Sequence, residues 1–152
     1  MIEFVRPEDA SDWGDVDPHL RLLVLECEAW LSRVGIHRTT ITSLKHGRRY
    51  PPHVEGRAAD LRVRDIPEEL REGLVSWINQ CYQWPPNALG RPWRPTAIYE
   101  REGERAGRTV ATGDHIHLQV PRKGLGEVSW SPTLTRCLPG AGGVCLDEGD
   151  ET

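Results

Sequence analysis

A chain of 152 residues with 38% hydrophobic content suits one globular domain around one core, and 15 glycines and 12 prolines make it loop-rich. The formal net charge of -4 leaves no broad basic footprint, so nucleic acid is not an expected partner. No run of about 18 apolar residues is present to span a membrane. The local pairs Arg48-Arg49 and Arg91 with Arg94 read as solvated loop charge. The opening Met-Ile-Glu-Phe-Val-Arg lacks the basic and then apolar regions of a secretion signal, so a product cytoplasmic as synthesised is expected. Cys27, Cys81, Cys137 and Cys145 form no C-x-x-C pair, which argues against a cysteine-based structural zinc site. Cys27 and Cys81 read as buried, reduced thiols.

Residues 1–16 show no periodic pattern and read as irregular. Asp17-Pro18 then supplies a helix N-cap and a proline at the first helical position. Leu20, Leu23, Val24, Cys27, Trp30, Leu31 and Val34 follow at helical spacing, and Gly35 ends the run as a left-handed cap. Residues 37–43, rich in β-branched side chains, read as a strand. A polar loop with Gly47, Pro51 and Pro52 follows. Residues 59–63 alternate as a strand, with Asp60 near its start. Asp65 and Pro67 open a second helix to about Tyr82, with Leu70, Leu74, Trp77, Ile78 and Cys81 on its buried stripe. The Pro- and Trp-rich residues 84–95 can be neither regular helix nor central strand, and Trp84 and Trp93 are expected over the core edge. Residues 96–100 and 115–120 read as strands joined by a polar hairpin loop at 101–112. From 131 the chain is Gly-rich and then acidic, so a domain at 1–130 and a flexible tail at 131–152 are expected. The order helix, strand, strand, helix, strand, strand predicts an α+β domain. Its small antiparallel sheet would carry the helices on one face.

Two segments carry chemistry. Residues His53-Val54-Glu55-Gly56-Arg57-Ala58-Ala59-Asp60 and Gly113-Asp114-His115-Ile116-His117 offer imidazoles and carboxylates. A catalytic zinc ion takes three such donors and leaves a fourth position to water. His53 and Asp60 are seven residues apart with Gly56 between them. Along a helix that interval would separate them by about two turns, so it suits a loop entering a strand, bent at Gly56. A carboxylate partly buried at Asp60 needs a cation, and a metal supplies one. His115 and His117, two apart on a strand, point to the same face. With Ile116, Leu118 and Val120 toward the core, that face is expected to line a groove or meet solvent. One of the pair can bind metal while the other stands beside the open position.

His53-Val54-Glu55-Gly56-Arg57-Ala58-Ala59-Asp60-Leu61 resembles the HxxGRAxD motif of the hedgehog/D-Ala-D-Ala peptidase zinc fold. That group includes phage L-alanyl-D-glutamate endolysins, vancomycin-resistance dipeptidases and the hedgehog signalling domain. His115-Ile116-His117 is similar to the group's closing HxH strand, and the likeness covers about residues 37–120. The resemblance implies zinc held by His53, Asp60 and His117. It implies Asp114, three residues before the last ligand, as the base that activates water. Glu100 is the alternative, because Ala97-Ile98-Tyr99-Glu100 resembles the hedgehog strand with a water-contacting Glu. His115 would sit beside the metal and hydrogen-bond the oxyanion.

Two positions depart from the family pattern. Pro51 replaces a usual Ser, and Leu44-Lys45-His46 follows Thr42-Ser43 where a Tyr-Arg is common. Substrate binding would then fall to nearby cationic residues among Lys45, His46, Arg48 and Arg49, with His46 and Arg48 the chosen candidates. Arg57 reads as structural. The implied function is a zinc metallopeptidase cutting peptidoglycan stem peptides, either as a D-Ala-D-Ala carboxypeptidase or as an L-Ala-D-Glu endopeptidase. A monomer released to the cell wall in the manner of a phage endolysin fits that function. The alternative is a non-catalytic zinc-binding domain of hedgehog type, used for partner recognition.

Overall fold

The computed structural model describes residues 1–45, 50–84, 95–102 and 113–121. In chain order these form β1 (Ile2–Phe4), α1 (Pro7–Asp12), a 3-10 turn (Trp13–Asp15), α2 (Pro18–Arg33), β2 (Thr39–Ser43), α3 (Pro51–Val54), β3 (Ala58–Arg62), α4 (Glu68–Cys81), β4 (Ala97–Glu100) and β5 (His115–Gln119). α2 begins as its sequence dictates. The Asp17 carboxylate accepts a hydrogen bond from the His19 amide at 2.8 Å, and Pro18 needs no donor there. The helix stops before Gly35, whose φ of 88° lies in the left-handed region. α4 has no side-chain cap, but Glu68 and Glu69 lie in its first turn, where carboxylates meet the positive end of the helix dipole.

The five strands make one sheet in the order β1-β2-β3-β5-β4. Its two faces differ sharply. Ile41, Leu61, Ile116 and Leu118 emerge on one face and are almost fully excluded from solvent. α2 covers them with Leu20, Leu23, Val24, Cys27 and Leu31, and α4 adds Leu74 and Ile78 to the same core. Each such side chain contributes roughly 1.5–3 kcal/mol by leaving water. Asp60, His115 and His117 emerge on the other face, one residue out of phase with the apolar set. α3 packs against β3 and brings His53 to that second face.

The α+β class is as expected, but the sheet is mixed rather than antiparallel. β1 runs parallel to β2, with Ile2 opposite Thr39 and Phe4 opposite Ile41. The intervening α2 makes this a β-α-β crossover, which returns a strand in the same direction. Residues 1–16, expected to be irregular, hold β1, α1 and the 3-10 turn, elements of three to six residues that are too short to show a period in sequence. Pro51 and Pro52, expected in a loop, instead open a one-turn helix, because proline presets the helical φ at the first positions. The thiols of Cys27 and Cys81 are buried and free, and burial pushes the Cys27 pKa upward, aided by the nearby charge of Glu26. Trp84 is partly buried against the core. Trp93, Cys137, Cys145, the hairpin loop at 103–112 and the tail at 131–152 lie outside the described residues. Among the described residues, no helix is long and apolar enough to cross a membrane.

Gly56 links α3 to β3 at a φ of 69°. A Cβ there would stand 3.3 Å from the Val16 Cα, and the Gly56 carbonyl accepts a hydrogen bond from the Asp17 amide at 2.9 Å. The left-handed conformation alone costs a non-glycine residue about 1–2 kcal/mol. Gly56→Ala is therefore expected to lower the unfolding free energy by about 2 kcal/mol, measured by urea denaturation of the metal-free protein. No change in midpoint would contradict the close approach of α2 and this turn.

Candidate metal centre

Asp60 lies in the middle of β3 and pairs in register with His117 of β5. Directly opposed residues in an antiparallel pair project side by side from the same face. His53 approaches from above the sheet, at the end of the turn that Gly56 reverses. The three groups converge closely. Asp60 Oδ1 lies 2.9 Å from His117 Nδ1 and 3.3 Å from His53 Nε2. One donor atom from each residue falls within 4.8 Å of the others, and all three residues are buried. The histidine side chains are therefore buried, and His115 also lines a cavity, as the expectation of a groove on this face required. The Tyr50 ring contributes to that cover, with its centroid 5.9 Å from the His117 ring and 6.3 Å from the His53 ring.

The outer nitrogens decide what the inner ones present. His53 Nδ1 is 2.6 Å from the Leu44 carbonyl, which can only accept, so that nitrogen carries the proton. Nε2 then turns a lone pair toward Asp60. His117 Nε2 lies 3.3 Å from Gln119 Oε1, the same oxygen that accepts from the Tyr50 hydroxyl at 3.3 Å. A proton on His117 Nε2 satisfies that contact and leaves Nδ1 as a second lone pair aimed at Asp60. Two nitrogen lone pairs and a carboxylate oxygen this close repel unless a cation stands among them. The donor set suits a metal ion: two neutral imidazoles and one carboxylate, with both rings oriented through their far nitrogens.

Protons can take the cation's place, and their effect on Asp60 is large. Burial is the strongest single influence and acts to raise its pKa. The hydrogen bonds from His117 and His53, with the charges of His53 and His115, outweigh it together and hold the carboxyl well below the usual carboxylate range. The imidazoles around Asp60 thus favour its ionised form.

His115 stands beside this cluster. Its Nδ1 is 2.9 Å from the Gly113 carbonyl, so that nitrogen carries a proton. Its Nε2 lies 3.1 Å from Glu100 Oε2 and 3.7 Å from Asp60 Oδ1. Glu100 reaches it because β4 and β5 pair with Glu100 directly opposite His115. A contact of 3.1 Å between a carboxylate oxygen and an imidazole nitrogen needs one proton, held by either partner.

Asp114 is placed differently from the sequence-based expectation. Its Oδ1 accepts from the Glu102 amide at 2.8 Å and its Oδ2 from the Tyr99 hydroxyl at 3.2 Å. Tyr99 and Glu100 are neighbours on β4 and project to opposite faces, so Asp114 is tied to the reverse side of the sheet from Glu100. The cause is strand alternation: the residue before His115 points away from the face that His115 and His117 share. The Glu102 amide, opposed by slight burial and helped by Tyr99, Arg71 and Arg101, lowers the Asp114 pKa. His46 and Arg48, the expected substrate contacts, lie outside the described residues. Arg57 is structural in its contacts: its Nη1 donates to the Val120 carbonyl at 2.7 Å and its Nε to Glu55 at 2.7 Å, tying the turn to the end of β5.

Two further residues at the centre had no sequence signal of their own. Tyr50 precedes α3 and Gln119 ends β5, and they meet only after folding. The two-residue step from His117 to Gln119 is the one trace, since it places both on one face. No family model matches the chain, and no match to it is found among curated proteins or solved structures.

Removing a ligand and removing a ring support should differ in degree. Asp60→Asn is expected to reduce zinc affinity by more than about 100-fold, and Gln119→Leu by about 10–100-fold. Competition against a chromogenic chelator measures both. Undiminished affinity in Asp60→Asn would remove this carboxylate from the metal centre.

Proposed function

We propose that the chain is a zinc-dependent peptidase that hydrolyses amide bonds in peptidoglycan stem peptides, acting as a monomer at the cell wall. The observation that carries this reading is the buried set of His53 Nε2, Asp60 Oδ1 and His117 Nδ1 with the His115–Glu100 pair beside it. The substrate class is drawn from the likeness of residues 53–61 and 113–117 to the zinc peptidase motifs described above. His53, Asp60 and His117 would hold the ion. Zinc, when bound, supplies Lewis acidity that polarises a carbonyl and acidifies water.

The remaining chemistry belongs to the side chains. Glu100 takes a proton from the attacking water as its oxygen bonds to the amide carbonyl carbon. His115, held by the Gly113 carbonyl, keeps Glu100 oriented and donates from Nε2 to the carbonyl oxygen as negative charge develops there. The C–N bond then breaks, and the proton held by Glu100 passes to the departing nitrogen. One water is consumed, and an acid and an amine are released. Asp60 stays ionised throughout and serves as a ligand only.

Glu100 and Asp114 are separable by experiment. Glu100→Gln is expected to lower kcat for muropeptide cleavage by about 10²–10⁴-fold with zinc content unchanged. Asp114→Asn should keep kcat within about threefold of wild type, because its contacts lie on the other side of the sheet. The reverse result would return the base to Asp114. Tight zinc binding with no cleavage of any muropeptide would replace this reading with a non-catalytic zinc domain.

A further inference from the structure

A cavity of about 480 Å³ opens against the metal centre and is lined by Thr42, Arg62, Arg64, Arg71, Asp114 and His115 among others. Its volume falls within the range of about 300–1,000 Å³ typical of small-ligand sites. His115 belongs to both places, since its Nε2 also faces Glu100 and Asp60. Whatever occupies the cavity therefore lies next to His115, the one residue that the cavity shares with the centre.

The charge of this cavity is uneven. Three guanidinium groups line it against one carboxylate. Asp114, that carboxylate, already accepts from the Glu102 amide and the Tyr99 hydroxyl. Arg71 is held in place by the Ile66 carbonyl at 2.8 Å and the Tyr99 hydroxyl at 2.9 Å. Arg62 is paired with Asp65 through two nitrogens, at 3.0 and 2.6 Å. Arg64 is exposed and makes no ion pair or hydrogen bond to any described residue. One guanidinium is thus available among the described residues, while Arg62 is offset by Asp65 and Arg71 stands near Asp114. Planar guanidinium groups match carboxylates through paired N–H bonds.

We infer that this cavity is a carboxylate subsite, in which Arg64, supported by Arg62 and Arg71, takes a free carboxylate on the amine side of the bond to be cut. The inference rests on the peptidase reading and makes it more specific. A terminal D-Ala-D-Ala bond and an L-Ala-D-Glu bond with its glutamate linked through the γ-carboxyl share this feature. In both, the departing residue carries a free α-carboxylate. Recognition therefore comes from the end of β3 and from α4.

Two measurements test it separately from the peptidase reading. The first uses metal-free protein, so that the probe cannot bind zinc. N-acetyl-D-alanine and its carboxamide are titrated while the arginine Nε–H signals are followed by NMR. The acid is expected to shift the Arg64 signal and to bind at least about tenfold more tightly than the amide, a preference lost in Arg64→Gln. The second compares zinc-loaded protein on peptides ending in a free acid and in an amide. Arg64→Gln should raise KM for the acid by about tenfold and leave the amide within twofold, with Arg62→Gln weaker in the same direction. Equal binding of acid and amide, or an acid preference that survives Arg64→Gln, overturns the subsite. Acid-selective binding that depends on Arg64, with no cleavage of any peptide, keeps the subsite and removes the peptidase reading instead.

Discussion

A carboxylate in the middle of a sheet, almost wholly excluded from water, is the constraint on which the remaining structure turns. An isolated buried charge is too costly to keep, so Asp60 has to be met by cationic or hydrogen-bonding groups from every open direction. His117 meets it along the sheet, His53 from the one-turn helix above, and His115 from one residue pair further on. Each partner is itself anchored by an acceptor behind it: the Leu44 carbonyl, the Gln119 amide oxygen and the Gly113 carbonyl. The arrangement is closed on the outside and rich in electron pairs on the inside. That is a donor set that could hold a cation.

The sheet makes this possible by giving its two faces different tasks. β3 and β5 alternate between apolar residues that join the helical core and polar residues that build the centre. A slip of one residue in their pairing would bury the histidines under α2 and α4 and expose Leu61 and Ile116. Register is thus enforced by core burial on one side, and the centre inherits its geometry from that enforcement.

Glu100 and Asp114 show how topology decides between chemically equal candidates. Both are carboxylates near the histidine pair in sequence or by strand pairing. Glu100 faces His115 because antiparallel pairing brings residues far apart in the chain into register, however long the loop between them. Asp114 is covalently next to His115 and yet faces away, because adjacent residues on a strand diverge. Proximity along the chain is the weaker guide here, and pairing across the sheet is the stronger one.

Much was legible before folding was considered. Asp17-Pro18 and Gly35 bound α2, the apolar spacing marked the cores of α2 and α4, and the two histidine-bearing segments offered His53, Asp60, His115 and His117 as candidate donors, with His117 preferred to His115 only through the family resemblance. These follow from local rules: capping chemistry, helical and strand periods, and the preference of metals for imidazole and carboxylate. The parallel β1, the helix at Pro51-Pro52, the burial of the histidine side chains, the placement of Glu100 rather than Asp114 beside His115, the contacts of Tyr50 and Gln119, and the arginine-lined cavity were not legible. Each depends on which residues become neighbours across the sheet or over its end. The amino-acid sequence by itself determined the donor types and the alternation that puts them on one face. Only the tertiary structure decided which nitrogen faces inward and which carboxylate stands beside it, because those follow from hydrogen bonds between residues distant in the chain.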